Sequence, residues 1–230
     1  MNRIKVFKHI FAVLLIILMA VSSSFAQSKP LTGNDPEATK MLEKIKKEYQ
    51  KHKTIETVFD VVTEYPGSKA MTQSGKLIQQ GKKYAMVMSD QEVYCDGKNV
   101  WYYLKDDKEV QVNNFDDKSS EEVMSPEQLL RFYENGNYLY AITGEEKIGT
   151  KNLTNIEFKP KSRMSQYSKV RIGVDNSNGM PNYIKVFSKN GAKMTLVIKS
   201  TSYDKLYKPD AFVFNEKKYP GIHVEDLRID

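Results

Sequence analysis

The sequence is poor in the residues that build covalent and metal-based sites. Its 230 residues include one cysteine, Cys95, and three histidines. A lone cysteine cannot form an internal disulfide, and we expect Cys95 to be a small packed side chain rather than a nucleophile. The histidines are scattered, and there is no HExxH or CxxC motif to add further ligands. The sequence therefore predicts no metal centre and no cofactor.

The familiar catalytic motifs are also missing. The chain has no G-x-S-x-G nucleophile elbow, no P-loop and no Rossmann glycine pattern. Carboxylates are plentiful, so a glycosidase-type carboxylate pair stays open as an alternative. The missing motifs favour a protein that is not an enzyme.

The positive charge of the chain is concentrated in its first residues. Arg3, Lys5 and Lys8 supply half of the formal charge of +6. The charge that remains is small and scattered along the chain, without the basic stripe that nucleic-acid binding requires. Nucleic acid is therefore not an expected partner.

The first 26 residues have the pattern of a signal peptide. The three leader cations precede an apolar run at residues 10–21, which is too short to span a bilayer, and small residues surround position 26. We expect cleavage there, which leaves a single exported domain at residues 27–230; the alternative is an uncleaved anchor. Gln27 rather than cysteine follows the cleavage site, so the protein itself should not be lipidated.

A helix is predicted to open the mature chain. Asn34 and Asp35 offer capping side chains, Pro36 suits the first turn, and Glu37 lies near the positive end of the helix dipole. The apolar side is then formed at helical spacing by Ala38, Met41, Leu42, Ile45, Tyr49 and His52. Lysine and glutamate mix on the polar side, which favours a core-facing helix over a membrane-surface helix.

Beyond residue 55 the hydrophobic period changes to two, which is typical of strands. The strongest local signal is Asp96-Gly97 between two aromatic and β-branched runs, because a tight primed hairpin turn needs the positive φ that glycine adopts easily. Six successive strands are predicted at residues 55–65, 71–79, 83–88, on both sides of Asp96-Gly97, and at 110–113. Short turns without helices between them indicate an antiparallel sheet.

The strands are interrupted once and then resume. Residues 116–122 form an acidic loop, and a second helix at 128–135 carries Leu129, Leu130, Phe132 and Tyr133. Further strands are predicted at 138–143, 153–159, 170–175, 183–188 and 194–201, and two short strands at 212–214 and 223–227 finish the chain. About eleven strands and two helices predict a mainly β fold with some α, a strongly curved sheet whose concave face the helices cover.

That concave face can be a plain core or a cavity. The cavity is favoured because the candidate residues are bulky and soft, and because the short second helix hangs from a polar loop as a movable lid would. The concave-face candidates are Phe59, Tyr84, Met86, Met88, Val93, Trp101 and Leu130.

Several motifs together carry a family resemblance. They are Asp35-Pro36-Glu37-Ala38, Ser74-Gly75-Lys76-Leu77, Asp96-Gly97-Lys98-x-x-Trp101-x-Tyr103, Ser125-Pro126-x-x-Leu129-Leu130, and the ending Phe212-x-Phe214 to Tyr219-Pro220-Gly221-Ile222-x-Val224-x-Asp226-Leu227-Arg228. In this order, and with the leader, they resemble the LolA-like outer-membrane lipoprotein carriers over nearly the whole mature chain. The C-terminal pattern is most similar to the Bacteroidetes branch.

The resemblance implies a fold and a function. The fold would be an open antiparallel half-barrel of about eleven strands covered by a helical lid. The protein would be a periplasmic monomer that carries triacylated lipoproteins from an inner-membrane lipoprotein-releasing ABC transporter to the outer membrane, with an outer-membrane acceptor left open. The alternative is a periplasmic lipid- or lipoprotein-sensing adaptor of the same fold.

The expected acyl-chain site follows from the concave-face pattern together with this resemblance. Its candidates are Ile45, Tyr49, Phe59, Val61, Leu77, Tyr84, Met86, Met88, Val93, Trp101, Leu129, Leu130 and Phe132. The chain departs from many proteobacterial members at Gln79-Gln80-Gly81, where those members have an arginine before a proline that ties the lid shut. The resemblance therefore supplies no lid-closing contact for this chain.

Overall fold

The structure is a computed structural model that describes residues 33–115 and 132–228. All of these residues belong to one compact unit, Leu31–Asp230. The predicted signal peptide at 1–26, the acidic loop at 116–122 and residues 128–131 of the predicted second helix lie outside the described residues. Among the described helices, none combines the length and apolar character needed to cross a membrane.

The predicted first helix is confirmed as α1 (Pro36–Gln50). Its N-cap is Asp35, whose Oδ1 accepts hydrogen bonds from the backbone N–H groups of Glu37 at 2.8 Å and Ala38 at 3.4 Å. The cap satisfies N–H groups that have no partner within the helix. Three side chains of the predicted apolar side, Ala38, Leu42 and Ile45, are buried.

Twelve strands form one sheet. They are β1 (Ile55–Glu64), β2 (Met71–Gln80), β3 (Lys83–Met88), β4 (Gln91–Cys95), β5 (Asn99–Leu104), β6 (Glu109–Asn114), β7 (Tyr138–Ile148), β8 (Lys151–Pro160), β9 (Tyr167–Asp175), β10 (Met180–Ser188), β11 (Lys193–Tyr203) and β12 (His223–Asp226). Their order is β12-β6-β5-β4-β3-β2-β1-β11-β10-β9-β8-β7. The central hairpin turns at Gly97, whose φ is +90°.

The architecture corrects the prediction at several points. The sheet has twelve strands rather than about eleven, and it is neither closed nor strongly curled. The predicted last strand is confirmed as β12, and it pairs in parallel with β6, whereas every other pair is antiparallel. Residues 212–214 are not a strand, because Pro209–Phe212 forms a 3₁₀ turn that buries Phe212 against the sheet. The described part of the predicted second helix, Phe132–Asn135, is likewise a single 3₁₀ turn.

The sheet has two different faces. We call the face that carries α1 the helix face, and the opposite face the tail face, because residues 207–222 (the tail) cross part of it. On the helix face, Leu42 and Ile45 pack with buried residues of β7, β8 and β9. On the tail face, Phe212 and Phe214 pack with residues of β2 to β6. Each face of the sheet is thus covered in part, and by a different element.

Candidate functional site

The helix face carries apolar side chains on every strand from β10 to β5, with the polar residues Thr57, Gln73 and Gln79 among them. Strand register shows this, because directly paired residues point to the same side of a sheet. Ile184 and Val186, which pack against the α1 cluster, pair with residues of β11 that in turn pair with Val61 and its neighbours in β1. From β1 the surface continues through Phe59 and Gly75 into β3.

The β3 to β5 part of this face is a buried cluster of soft and aromatic side chains. Tyr84, Val93, Cys95 and Val100 are buried there, and the half-buried residues packed around them are Leu77, Met86, Tyr102 and Phe115. Cys95 is fully buried, as expected of a packed thiol. Methionine and tyrosine can repack around ligands of irregular shape at low cost.

Phe59 depends on a glycine. The Phe59 ring lies directly over Gly75 of β2, where an added Cβ would come within 2.6 Å of the ring and 3.0 Å of Met88. Phe59 is 3% exposed. The glycine of the Ser74-Gly75 motif therefore makes the room that lets a large ring lie flat on the sheet.

Between the α1 cluster and the β3–β5 cluster runs a strip that is only partly covered. Val61, Val186, Leu196 and Ile198 are half-buried there, and Met194 is 47% exposed. Apolar side chains that stay partly in water at the centre of a sheet gain free energy when another apolar group covers them. We call these five residues the apolar strip.

The helix face has no charged side chain along the strip or in the β3–β5 cluster. Its phenols also stay neutral: burial raises the pKa of Tyr49 on α1, and burial, with Cys95 and Tyr102 nearby, raises the pKa of Tyr84. Within the described residues, no three His, Cys, Asp or Glu side chains come together as metal ligands. The apolar strip and the β3–β5 cluster can therefore offer an apolar contact surface.

The tail face beside the strip has the opposite character. Asp60 pairs with Lys199 at 3.3 Å, and Glu64 pairs with Lys185 at 3.2 Å. Farther along, one oxygen of Glu157 accepts hydrogen bonds from both Lys169 and Arg171. These charges confine apolar binding to the helix face in this part of the sheet.

The tail itself is fixed by two buried or half-buried glutamates. Glu92, 7% exposed, accepts hydrogen bonds from Tyr94 and Tyr219, both at 2.8 Å, and pairs with Lys105 at 3.0 Å. Glu56 accepts from Lys205 and Tyr207 near the start of the tail. A cavity of about 190 Å³ between tail and sheet has a mixed lining, with apolar Ile78 and Val87 beside charged Lys76 and Asp210.

Most of the predicted site residues that the structure describes share the helix face. Seven lie on β1 to β4: Phe59, Val61, Leu77, Tyr84, Met86, Met88 and Val93. Ile45 and Tyr49 lie on α1, over β7 to β10. Leu129 and Leu130 lie outside the described residues, as does the side chain of Phe132.

Trp101 is separated from the other candidates. It pairs with Tyr94 and Val112 and packs near Tyr103 and Phe214 on the tail face. The prediction placed it on the concave face because it is large and apolar. The alternation of a strand shows only that Trp101 and Tyr102 point to opposite faces of β5. Because both faces of β5 are apolar, the pattern did not reveal which of the two residues lies on the helix face.

Sequence reasoning missed four of the five residues of the apolar strip, which are the ones on β10 and β11. The apolar runs around Val186 and Leu196 were visible and predicted strands at 183–188 and 194–201. They could not show that β11 pairs with β1, which is distant in sequence and brings these residues beside Val61.

Comparisons with known proteins give the same fold. The family model described as "Outer membrane lipoprotein carrier protein LolA" matches residues 50–215. A search of curated proteins found no match. An uncharacterized conserved protein from Thermus thermophilus is 8% identical, with a TM-score of 0.54, and the match covers 83% of this chain and 99% of that chain.

Two further solved structures carry related descriptions. A LolA superfamily protein from Nitrosomonas europaea is 14% identical with a TM-score of 0.38, over 77% of this chain and 97% of that one. A putative outer membrane lipoprotein-sorting protein domain from Vibrio parahaemolyticus is 13% identical with a TM-score of 0.40, over 76% of this chain and 97% of that one.

Proposed function

This chain belongs to the family of the outer membrane lipoprotein carrier protein LolA, and from that membership we propose that it is a periplasmic lipoprotein carrier. It takes up the acyl chains of triacylated lipoproteins as an inner-membrane ABC transporter releases them, and delivers them to the outer membrane. The role is binding and release, without covalent chemistry.

The observation that supports this proposal best is the uncharged helix face with its partly covered apolar strip. Burying one methylene is worth about 0.8 kcal/mol, so exposing three long acyl chains to water costs tens of kcal/mol. A carrier has to cover those chains and still release them. Val61, Leu196 and their neighbours offer apolar contacts that are not already satisfied by tight packing.

Two parts of the proposal lie outside the described residues. Removal of residues 1–26 by signal peptidase would put the mature chain in the periplasm. Leu129 and Leu130 would close over the acyl chains as a lid, next to the 3₁₀ turn Phe132–Asn135, whose Tyr133 is already buried in the α1 cluster. An apolar lid can fill the empty site and yield to cargo by a shift in population.

The test is a release assay. Inner-membrane vesicles that carry the releasing transporter and a labelled triacylated lipoprotein are incubated with the protein and ATP. We expect label to appear in a soluble one-to-one complex. Label that stays in the membrane would contradict the carrier function. If the protein still binds free lipid in that case, the lipid-sensing adaptor is the better interpretation.

A matched pair of variants locates the cargo. Leu196 and Thr195 are neighbours on β11 and point to opposite faces. Leu196→Glu places a charge in the strip and should lower the yield of soluble complex by about tenfold or more, because a carboxylate is costly to bury against acyl chains. Thr195→Glu lies opposite Lys185 on the tail face and should release lipoprotein normally.

Equal yields from the two variants would exclude the strip as the acyl-chain site. Circular dichroism and thermal melting of both variants serve as the folding control. A loss of complex counts as evidence only where the Leu196→Glu protein melts cooperatively.

A further inference from the structure

Three neighbouring turns at one end of the sheet carry cations and no carboxylates. They are residues 65–71 between β1 and β2, residues 160–168 between β8 and β9, and residues 188–194 between β10 and β11. Their basic residues are Lys69, Lys161, Arg163, Lys189 and Lys193. We call these three turns the basic rim.

Specific contacts hold the rim together. Lys189 donates its backbone N–H to the carbonyl of Gln166 at 2.9 Å and its Nζ to the carbonyl of Arg163 at 2.6 Å. On the other side, Gly191 packs so closely against the β1–β2 turn that an added Cβ would lie 2.9 Å from Pro66. The rim is therefore one surface, built around the β10–β11 turn.

The same surface exposes large apolar side chains. Met164 is 90% exposed at the tip of the β8–β9 turn, between Arg163 and Ser165. Three others project nearby: Tyr65 at 50%, Met71 at 57% and Tyr167 at 39% exposure. Exposing several large apolar side chains to water is unfavourable in free energy. A surface that contacts only water rarely groups them in this way.

The charge of the basic rim indicates which kind of partner this surface can bind. None of the five rim cations has a carboxylate in its own turn, and among the described residues only Lys193 pairs with one, the adjacent Glu64, at 3.7 Å. The positive surface ends where the β5–β6 turn, at the same end of the sheet, brings Asp106 and Asp107. Cations that flank exposed methionine and tyrosine match a lipid interface, where anionic headgroups lie above apolar chains.

We propose that the basic rim docks on the anionic surface of a phospholipid bilayer, with Met164 entering the interface. The turns are convex tips rather than a groove, which fits a deformable lipid surface better than a folded acidic protein. The apolar strip reaches the rim at Met194, so docking would place one end of the strip at the bilayer surface. The use of that contact for acyl transfer rests on the proposed carrier function; the docking itself does not.

Vesicle flotation tests the docking. The protein is expressed as the full chain, recovered after export, and mixed with phosphatidylcholine vesicles with or without phosphatidylglycerol. We expect flotation with the anionic vesicles only, and loss of flotation at high salt. The double variant Lys161→Glu with Arg163→Glu should reduce the bound fraction by about tenfold or more, because each cation near an anionic surface contributes to binding.

Matched controls lie at the other end of the sheet. Leu206 is 99% exposed and lies in the segment that follows β11, at the end of that strand opposite the rim. Met164→Ser should weaken flotation, whereas Leu206→Ser and Lys208→Glu should leave it unchanged. Equal flotation with neutral vesicles, or equal effects of rim and control variants, would overturn the proposal. Failure to float, together with rim-dependent capture of an acidic peptide, would overturn it as well.

The release assay separates this inference from the carrier function. Rim variants that still form soluble lipoprotein complex but do not float leave the carrier function intact and locate the defect in docking. If the wild-type protein floats but forms no lipoprotein complex, the carrier function fails and the docking surface stands.

Discussion

Glu92 shows how one carboxylate fixes a chain segment to the sheet. Burial by itself would raise the pKa of Glu92, but hydrogen bonds from Tyr219 and Tyr94 and the charge of Lys105 outweigh it and hold the pKa below its ordinary value of 4.5. Burial and the same carboxylate raise the pKa of Tyr219 to about 12. At neutral pH the pair therefore consists of an ionised acid and neutral phenol donors.

The pH dependence of this contact is predictable. Because the folded state lowers the pKa of Glu92, the contact contributes stability above about pH 4.5 and loses it as the pH falls through the lower, folded-state pKa. Glu92→Gln should reduce the free energy of unfolding by about 1–3 kcal/mol at pH 7. Urea titrations should show this difference shrinking below about pH 4.5.

The control for this prediction is Glu225→Gln, since Glu225 is exposed on β12. It should change the free energy of unfolding by less than about 0.5 kcal/mol. A Glu92→Gln difference that stays constant down to acid pH would show that the lost contribution is packing rather than charge.

At the scale of elements, the start of α1 is joined to the edge strand β7. Asp35 accepts through Oδ2 from the backbone N–H of Ile142 at 3.2 Å, and its own N–H donates to the carbonyl of Tyr140 at 2.9 Å. Thr39 adds a hydrogen bond to the Tyr140 hydroxyl at 3.1 Å. The helix cap therefore also satisfies the open edge of the sheet, which limits strand addition there.

Removing this cap should loosen both elements together. Asp35→Ala is expected to cost about 1–2 kcal/mol of unfolding free energy. Hydrogen exchange should speed up in the first turn of α1 and at Ile142, because both lose the same acceptor. The bond to Ile142 is also the main cause of the lowered pKa of Asp35.

Asp35→Asn is the matched control. Its remaining amide oxygen can still accept from Glu37 and Ala38, so the helix turn should stay protected while Ile142 exchanges faster. If the Asp35→Asn variant lost exchange protection equally in the first turn of α1 and at Ile142, the cap would depend on the carboxylate charge rather than on the geometry of the acceptor.

Across the whole molecule, the tail and the proposed acyl-chain site occupy different faces of the sheet. The tail buries Phe212 to 1% exposure and Phe214 to 5%, and the Phe214 ring stacks on Tyr219 at 5.1 Å. The helix face between α1 and β3 keeps apolar groups partly uncovered instead. A carrier needs a firm frame around a loosely covered site, and the two faces divide these requirements.

Phe212→Ala tests this division. The substitution should lower the free energy of unfolding by about 3–5 kcal/mol, because it leaves a cavity between tail and sheet. Below the melting transition, the variant should still take up lipoprotein in the release assay as the wild type does. Val213→Ala, at a 37% exposed neighbour, should alter neither property.

The opposite result would be informative. If Phe212→Ala remained folded by circular dichroism but formed no soluble complex, the tail would be part of the binding machinery. Stability and binding could then not be assigned to separate faces.

The sequence by itself determined the local elements. Asp35-Pro36-Glu37 specified the helix start, the alternation around Phe59 specified β1, and Asp96-Gly97 specified the central hairpin, because each depends on neighbours within a few residues. The order of family motifs also predicted the LolA family, which the family model confirms. The Bacteroidetes branch stays a prediction.

Only the tertiary structure decided which residues meet across the sheet. The pairing of β1 with β11 created the apolar strip, and the parallel pairing of β12 with β6 added an edge strand. The strand register from β1 to β5 placed Trp101 on the face away from Phe59, where it packs near the tail. These contacts join segments far apart in the chain. A period of two tells which side chains share a face, but the identity of that face depends on what packs against it.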